Sequence, residues 1–167
     1  MFIASIVTEG GIFTAHFSPR GLARLEFPPT QLRENASVPT DISAQHRELL
    51  RWIKLTEAAL KSVLAGRSPR SLPPLDLTMG TDFQQRVWHA LLAIAPGQTR
   101  SYSELAGLLG HPKAARAVGG ACGANPIPLL IPCHRVLAAN RQLGGFSGGL
   151  EWKRRLLRGE NCTVIEP

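Results

Sequence analysis

The stretch ANPIPLLIPCHRV, residues 124–136, is the most informative part of this sequence. Its prolines restrict the backbone, and an apolar run leads directly to Cys133, His134 and Arg135. Pro132 suits the first turn of a short helix that begins there. A thiol at a helix N-terminus, beside an imidazole and a guanidinium, is expected to have a pKa below its free value of about 8.5. The pattern predicts a reactive cysteine, with a buried and inert cysteine as the alternative.

Two short helices are predicted upstream of this stretch, joined by a few residues. The first, SYSELAGLLG (101–110), starts with Ser101 followed by Glu104, the pattern of a capping box. The second, ARAVGGACGA (115–124), is built from small residues, with Arg116 as its one long side chain. Two such helices favour a helix-turn-helix, with an ordinary helical hairpin as the alternative. A helix of Ala and Gly suits close approach to a narrow groove with Arg116 inserted, or tight packing in a core.

The N-terminal half is predicted to form three strands and one long helix. The predicted strands are FIASIV (2–7), GIFTAHF (11–17) and ARLEF (23–27). The helix is capped by Asp41 or Ser43, carries a broad apolar stripe and ends at Gly66. The proline-rich stretch 66–80 is the predicted boundary between the two halves.

This boundary divides the chain into an N-terminal domain, residues 1–78, and a C-terminal domain, residues 79–167. The second domain opens with Thr81 or Asp82 as the N-cap of its first helix. It also holds ten basic and five acidic side chains, against nine and seven in the first. The whole chain has a formal net charge of +7 and a pI near 10.2. This balance favours a polyanionic partner for the second domain, a merely basic protein being the alternative.

Composition narrows the class of protein further. The 167 residues are 44% hydrophobic and 19% charged, which is typical of a globular chain. No apolar run reaches the roughly 18 residues that a transmembrane helix needs, and the N-terminus lacks the pattern of a signal peptide. The three cysteines, Cys122, Cys133 and Cys162, suggest neither a disulfide framework nor a metal site. We therefore expect a cytoplasmic protein in which Cys122 and Cys162 are inert.

Three segments resemble the O6-alkylguanine-DNA alkyltransferase family (methylated-DNA–protein-cysteine methyltransferases). They occur in the family's order and are TDFQQRVWHALLAIAPGQTRSYSELAGLLG (81–110), KAARAVGGACGANPIPLLIPCHRV (113–136) and FSGGLEWKRRLLRGEN (146–161). The end of the second segment, IPCHRV (131–136), is similar to the active-site signature of that family. The resemblance implies a ribonuclease-H-like α/β N-terminal domain and a mainly α C-terminal domain with a winged helix-turn-helix. Residues 1–78 are compatible with this N-terminal domain but resemble it only weakly.

The family's activity implies a role for each matching residue of the site. Cys133 would take the alkyl group from guanine O6 in duplex DNA, irreversibly and once per molecule. His134 would accept the thiol proton through a water, and Glu160 would orient that histidine. Asn125 would tether the active-site turn, and Tyr102 would donate a proton to the departing guanine. O4-alkylthymine is a possible second substrate of such a protein.

The resemblance also implies how DNA and the flipped base would be held. Arg116 would fill the gap left in the base stack, and Tyr102 would lie at the flipped nucleotide. The small residues expected along the minor groove are Ala114, Ala115 and Gly119. The residues expected to line the substrate pocket are Phe146, Ser147, Pro128 and Val136.

Some features depart from the family's pattern. Phe146 stands where many relatives have Tyr, which removes a hydroxyl but keeps stacking. The stretch Cys122-Gly123-Ala124 is less bulky than in some relatives, which could alter DNA affinity or open the alkyl pocket. Residues 1–78 contain no cysteine, so we expect no zinc there. We also expect no other metal and no cofactor, and a monomer, since one thiol that reacts once needs no partner subunit.

Two other functions remain open at this level. A lesion-recognising or regulatory DNA-binding protein would bind the same DNA without transferring a group to Cys133. A cysteine hydrolase would use Cys133, His134 and Glu160 on an amide or ester, and would turn over many times. Stoichiometric loss of one thiol on alkylated DNA distinguishes alkyl transfer from both.

Overall fold

The computed structural model describes residues 1–29 and 44–163, and its first element is a three-stranded antiparallel sheet. The strands are β1 (Phe2–Thr8), β2 (Gly11–Ser18) and β3 (Gly21–Glu26), in the order β1-β2-β3. These bounds confirm the three predicted strands to within about two residues at each end. The tight turn before β3 requires Gly21, whose φ is +144° and where a Cβ would lie 2.1 Å from the Pro74 carbonyl oxygen.

One face of the sheet packs on helix α1 (Ala44–Leu64). Phe13, Ala15 and Phe17 alternate along β2 and are fully buried, as expected of the core-facing side of a strand. The Phe17 ring stacks on Trp52 of the helix at a centroid distance of 6.5 Å. The chain leaves α1 through Gly66 at a φ of +69°, which confirms the predicted end of the helix. Both predicted N-caps, Asp41 and Ser43, lie outside the described residues.

The proline-rich stretch 66–80 runs back along β3. The Leu22 amide donates to the Pro74 carbonyl oxygen at 2.8 Å, and the Asp76 amide donates to the Leu22 carbonyl oxygen at 2.8 Å. Ser18 donates to the Asp76 carboxylate at 2.5 Å. These bonds hold the connection between the two halves against the sheet edge.

Helices dominate the second half, beginning with α2 (Asp82–Leu92), α3 (Tyr102–Leu108) and α4 (Ala115–Gly123). Both α2 and α3 pack on α4. Complete capping boxes, Thr81 with Gln84 and Ser101 with Glu104, start the first two of these helices. They confirm the predicted caps, and Thr81 rather than Asp82 is the N-cap of α2.

The remaining elements surround the stretch 124–136. Strand β4 (Arg100–Ser101) pairs in parallel with β5 (Val136–Leu137), and helix α5 (Leu150–Gly159) packs on the turn that contains Cys133. One continuous hydrophobic core contains residues of the sheet, of the helices and of this turn, so the cysteine stands in the protein's interior. Within the described parts of the chain, no helix is long and apolar enough to cross a membrane.

Candidate active site

Asn125 holds the turn that carries Cys133. Its Nδ2 donates to the Ile131 carbonyl oxygen at 2.8 Å and to Cys133 Sγ at 3.1 Å. Its Oδ1 accepts from the Ile127 amide at 3.0 Å. One buried amide side chain therefore fixes both the loop before the cysteine and the sulfur itself.

A buried charge cluster lies behind the thiol. His134 Nε2 is 3.0 Å from Glu160 Oε1, and Arg135 donates to both oxygens of the same carboxylate and to the Ile94 carbonyl oxygen. Burial by itself raises the pKa of Glu160, but hydrogen bonds from His134 and Arg135 outweigh it and bring this pKa down to about 2. The carboxylate is ionised at neutral pH and accepts a hydrogen bond from the Nε2–H group of His134.

The other ring nitrogen of His134 is available for a proton. Nδ1 is buried and has no hydrogen-bond partner among the described residues. Burial lowers the pKa of His134, so the ring is neutral at pH 7. With Nε2–H directed at Glu160, the lone pair lies on Nδ1, which is the tautomer a general base requires.

The expectation of a lowered thiol pKa is wrong for this structure. Burial raises the pKa of Cys133, which is only 4% exposed, and the Asn125 hydrogen bond and the Lys153 charge offset this in part. The guanidinium of Arg135 is committed to Glu160, and the predicted short helix is a single 3-10 turn, Cys133–Arg135, preceded by Pro132. Three residues supply little helix dipole.

A cavity of about 400 Å³ opens onto Cys133. It brings together residues of α3, α4, the cysteine turn and the loop before α5. The predicted site residues on its wall are Tyr102, Ala115, Arg116, Gly119, Cys133, Phe146 and Ser147. Gly144 (φ +63°) lets the loop approach the Tyr102 hydroxyl, since a Cβ there would lie 3.2 Å from its oxygen. Burial raises the pKa of Tyr102, so its hydroxyl keeps its proton at neutral pH.

Three of the residues predicted for the substrate pocket or the DNA-binding face do not line this cavity. Pro128 is buried beside a neighbouring depression that it shares with Asn125 and Ser147. Val136 is fully buried, and its carbonyl oxygen accepts a hydrogen bond from Lys153. Ala114 precedes α4 and is half-buried.

Lys153 is a buried residue of the site that sequence reasoning missed. Its ammonium donates to the carbonyl oxygens of Val136 at 2.7 Å, of Leu143, and of Gly145 at 3.4 Å. It thereby ties α5 to the segment after Cys133 and to the loop that carries Phe146. Burial lowers the pKa of Lys153 to about 8. The sequence does contain a signal for its burial. Lys153 precedes Leu156 by three residues and Leu157 by four, so it lies on the apolar side of the helix.

Cys122 was expected to be inert, and the structure places it on the wall of the same cavity as Cys133. It is 7% exposed, and burial raises its pKa to about 12. No grouping of three or more His, Cys, Asp or Glu side chains suited to a metal ion occurs in the described ranges.

The loop that carries Phe146 also contacts the N-terminal sheet. The rings of Phe27 and Phe146 meet edge-on at a centroid distance of 5.7 Å. Gly148 lies so close to Phe27 that a Cβ there would come within 2.4 Å of the ring. Phe27, which directly follows β3, therefore supports the cavity wall.

The fold and the site together define a mixed α/β protein with a cysteine at the base of a cavity. Residues 82–162 match the family model for the DNA-binding domain of 6-O-methylguanine DNA methyltransferase. The chain is 42% identical over 139 residues to a Salmonella typhimurium methylated-DNA–protein-cysteine methyltransferase, covering 81% of each protein. It is 54% identical over 105 residues to the Mycobacterium tuberculosis protein of that name, and the match spans 63% of the length of that relative.

Solved structures agree with this relationship along nearly the whole chain. Mycobacterium tuberculosis OGT in complex with DNA superposes with a TM-score of 0.72 at 39% identity, covering 96% of this chain and 92% of that one. The methyltransferase from Pyrococcus kodakaraensis gives a TM-score of 0.58 at 25% identity. The chain belongs to the methylated-DNA–protein-cysteine methyltransferase family.

Proposed function

We propose that this protein repairs DNA by direct reversal, moving the alkyl group of O6-alkylguanine in duplex DNA onto Cys133. The observation that carries the proposal is a cavity-facing thiol held by Asn125 at 3.1 Å, with the His134–Glu160 pair behind it. The names of the relatives support it, as does the related Mycobacterium tuberculosis OGT, whose structure was solved in complex with DNA. O4-alkylthymine is a second substrate that we propose for the same site.

The chemistry follows from these contacts. His134 Nδ1 accepts the Cys133 proton through one water, and the ionised Glu160 holds the ring in the required tautomer. The thiolate attacks the alkyl carbon, so an S–C bond forms while the C–O6 bond breaks. Guanine is a poor leaving group unless it is protonated, and Tyr102 at the cavity wall is the donor we assign. The C–S bond is stable to cellular thiols, so each molecule acts once.

DNA binding is assigned to the outer face of α3 and α4. We propose that residues 79–167 are a domain with a winged helix-turn-helix and that residues 1–78 are a ribonuclease-H-like domain. The sequential α3 and α4, packed together, support the first assignment, and the meander with α1 supports the second. The lesion lies inside the duplex, so the nucleotide has to be extruded, at a cost of a few kcal/mol.

Each residue assigned to DNA binding or to the pocket has a task in that extrusion. The exposed Arg116 fills the vacated stack, and the small residues permit close approach to the minor groove. These small residues are Ala114, Ala115 and Gly119. Phe146 and Ser147 contact the flipped base, while Pro128 and Val136 support the pocket from behind its wall. A thiol that reacts once requires neither a cofactor nor a second subunit, so we propose a monomer.

Intact mass spectrometry after mixing with a slight excess of O6-methylguanine duplex tests the proposal. We expect a gain of one methyl group that maps to Cys133, is absent in Cys133→Ser and is unchanged in Cys162→Ser. Tight binding to the duplex without a mass gain would instead indicate a lesion-recognition protein. Repeated turnover of a small ester would indicate a hydrolase.

A further inference from the structure

The two buried thiols share one cavity. Cys122 on α4 and Cys133 on the active-site turn both line the space of about 400 Å³, and both are free. They are 7% and 4% exposed. The reaction proposed above uses only Cys133, so Cys122 is a nucleophilic group without an assigned role.

One residue contacts both cysteines. The Asn125 amide donates to the Cys122 carbonyl oxygen at 3.3 Å, and Asn125 Nδ2 donates to Cys133 Sγ at 3.1 Å. The buried ammonium of Lys153 also acts on both, since its charge lowers the pKa of either thiol, while the Cys133 thiolate raises the pKa of Cys122. The two thiols thus interact with each other and with the same ammonium group, that of Lys153.

We propose that Cys122 and Cys133 form a reversible redox pair, in which a hydroperoxide oxidises Cys133 and Cys122 closes a disulfide across the cavity. The proposal goes beyond alkyl transfer and makes Cys122 the resolving cysteine. Its co-reactant is a small peroxide such as hydrogen peroxide, which the open cavity admits.

The reaction balances in two steps. The Cys133 thiolate attacks a peroxide oxygen, the O–O bond breaks, and the departing hydroxide takes a proton to become water. Cys122 then attacks the sulfur of the Cys133 sulfenic acid. The S–S bond forms, the S–O bond breaks, and the hydroxide leaves as water with the Cys122 proton. The two thiols lose two electrons and two protons, and a dithiol reductant restores them.

The charge of the site changes between the two steps. Burial is the main reason that the pKa of Cys122 is raised, and it persists, but a neutral Cys133 sulfenic acid removes the added repulsion of a Cys133 thiolate. A disulfide also needs the two Cβ atoms about 3.5–4.5 Å apart, so a linked peptide tests directly whether α4 and the turn approach to this distance.

The consequence is protection of a thiol that can act only once. A disulfide holds Cys133 in a reducible form, whereas further peroxide would carry a lone sulfenic acid to the irreversible sulfinic acid. The oxidised protein would accept no alkyl group until it is reduced.

The test treats the reduced protein with hydrogen peroxide. The intact mass and a non-reducing peptide map then identify the oxidation product. Alkyl acceptance is measured on the same sample before and after addition of dithiothreitol. We expect the parent to lose two hydrogens, to yield a linked Cys122–Cys133 peptide, and to lose acceptance and then recover it. Cys162→Ser is the matched control and should behave as the parent does. Cys122→Ser should gain oxygen on Cys133 and fail to recover acceptance.

Three results would overturn the pair. They are oxygen added to Cys133 of the parent without a linked peptide, a link that involves Cys162 or a second chain, and equal recovery of Cys122→Ser and the parent. Alkyl acceptance of the untreated reduced samples is read in the same experiment. A failure of the redox pair leaves that acceptance intact, and a failure of the repair function abolishes it, so the two are distinguished.

Discussion

His134 Nε2 lies 3.0 Å from Glu160 Oε1, and both side chains are almost completely buried. The second oxygen of this carboxylate is held by Arg135. The cluster leaves Nδ1 of the histidine free to act as the base. It also fixes the C-terminal end of α5 against the active-site loop. Its charges make both stability and reactivity depend on pH.

Stability should fall in acid because of this cluster. The pKa of Glu160 drops from 4.5 to about 2 on folding, so its contribution is complete above pH 4.5 and is lost as the pH falls towards 2. The loss is about 3 kcal/mol. The pKa of His134 is also lowered on folding, here because the ring is buried, which adds a loss of the same sign as the pH falls below 6.5. Urea unfolding between pH 8 and pH 3 measures the slope. In Glu160→Gln this slope should be clearly shallower, and an unchanged slope would refute the assignment.

Removing the Lys153 ammonium should loosen the site. Lys153→Met leaves the carbonyl oxygens of Val136, Leu143 and Gly145 without this donor, and we expect a loss of about 1–3 kcal/mol in the free energy of unfolding. Chemical denaturation gives the value, and single-turnover alkyl transfer should slow because the positive charge near the thiolate is gone. The exposed Lys113→Met is the control. Equal stability of the two variants would contradict the bonding.

Two glycines should respond to alanine in opposite directions. Gly144→Ala places a side chain at a φ of +63° and 3.2 Å from the Tyr102 hydroxyl, so we expect a loss of about 1–2 kcal/mol. Gly120→Ala lies inside α4 with open space around it and should gain about 0.5–1 kcal/mol from helix propensity. Thermal unfolding of both variants gives the comparison. A stabilised Gly144→Ala would argue against the close loop.

Arg116→Ala should separate binding from extrusion. The variant still contacts phosphates through its other basic groups, so affinity at low salt should change little, and the slope of log K against log salt should fall by at most about 1. Repair in single turnover should slow about tenfold, equivalent to roughly 1.4 kcal/mol. The exposed Arg158→Ala serves for comparison. Equal repair rates for Arg116→Ala and the parent would exclude the intercalating role.

The alkylated protein should be less stable than the free one. Cys133 is 4% exposed and accepts a hydrogen bond from Asn125, so an added methyl group crowds a close-packed turn and disturbs that bond. We expect a loss of about 1–3 kcal/mol. Denaturant melts of protein before and after reaction with O6-methylguanine duplex measure it. Identical unfolding midpoints for the free and the alkylated protein would contradict this prediction.

The elements of this fold were predictable where their signals are local. The capping boxes at Thr81 and Ser101 and the turn glycines are written within a few residues, and the structure confirms them. The direction of the Cys133 pKa was not predictable in this way, because it depends on burial by segments far apart in the chain. The same holds for Lys153, whose three acceptors are 8–17 residues away in sequence.

The site residues also divide into those that the sequence indicates and those that depend on contacts between distant segments. The resemblance proposed Asn125, His134 and Glu160, and the structure brings them together with Cys133. The comparison with the family also linked the stretch Cys122-Gly123-Ala124 to the alkyl pocket, and Cys122 lies on the cavity wall. That its thiol shares this wall with Cys133 was not predictable, because its neighbours are set by how α4 packs.

The contact of Phe27 with Phe146 has a consequence for transplanting this site. The family match begins at residue 82, so a chimaera that keeps only the C-terminal part would inherit every group that we assign to the proposed reaction. It would lose the ring of Phe27, the residue directly after β3, which fills the space beside Gly148 and meets Phe146 at 5.7 Å. Exchanging N-terminal halves between relatives would therefore reshape the pocket wall without changing any residue that we assign to the reaction.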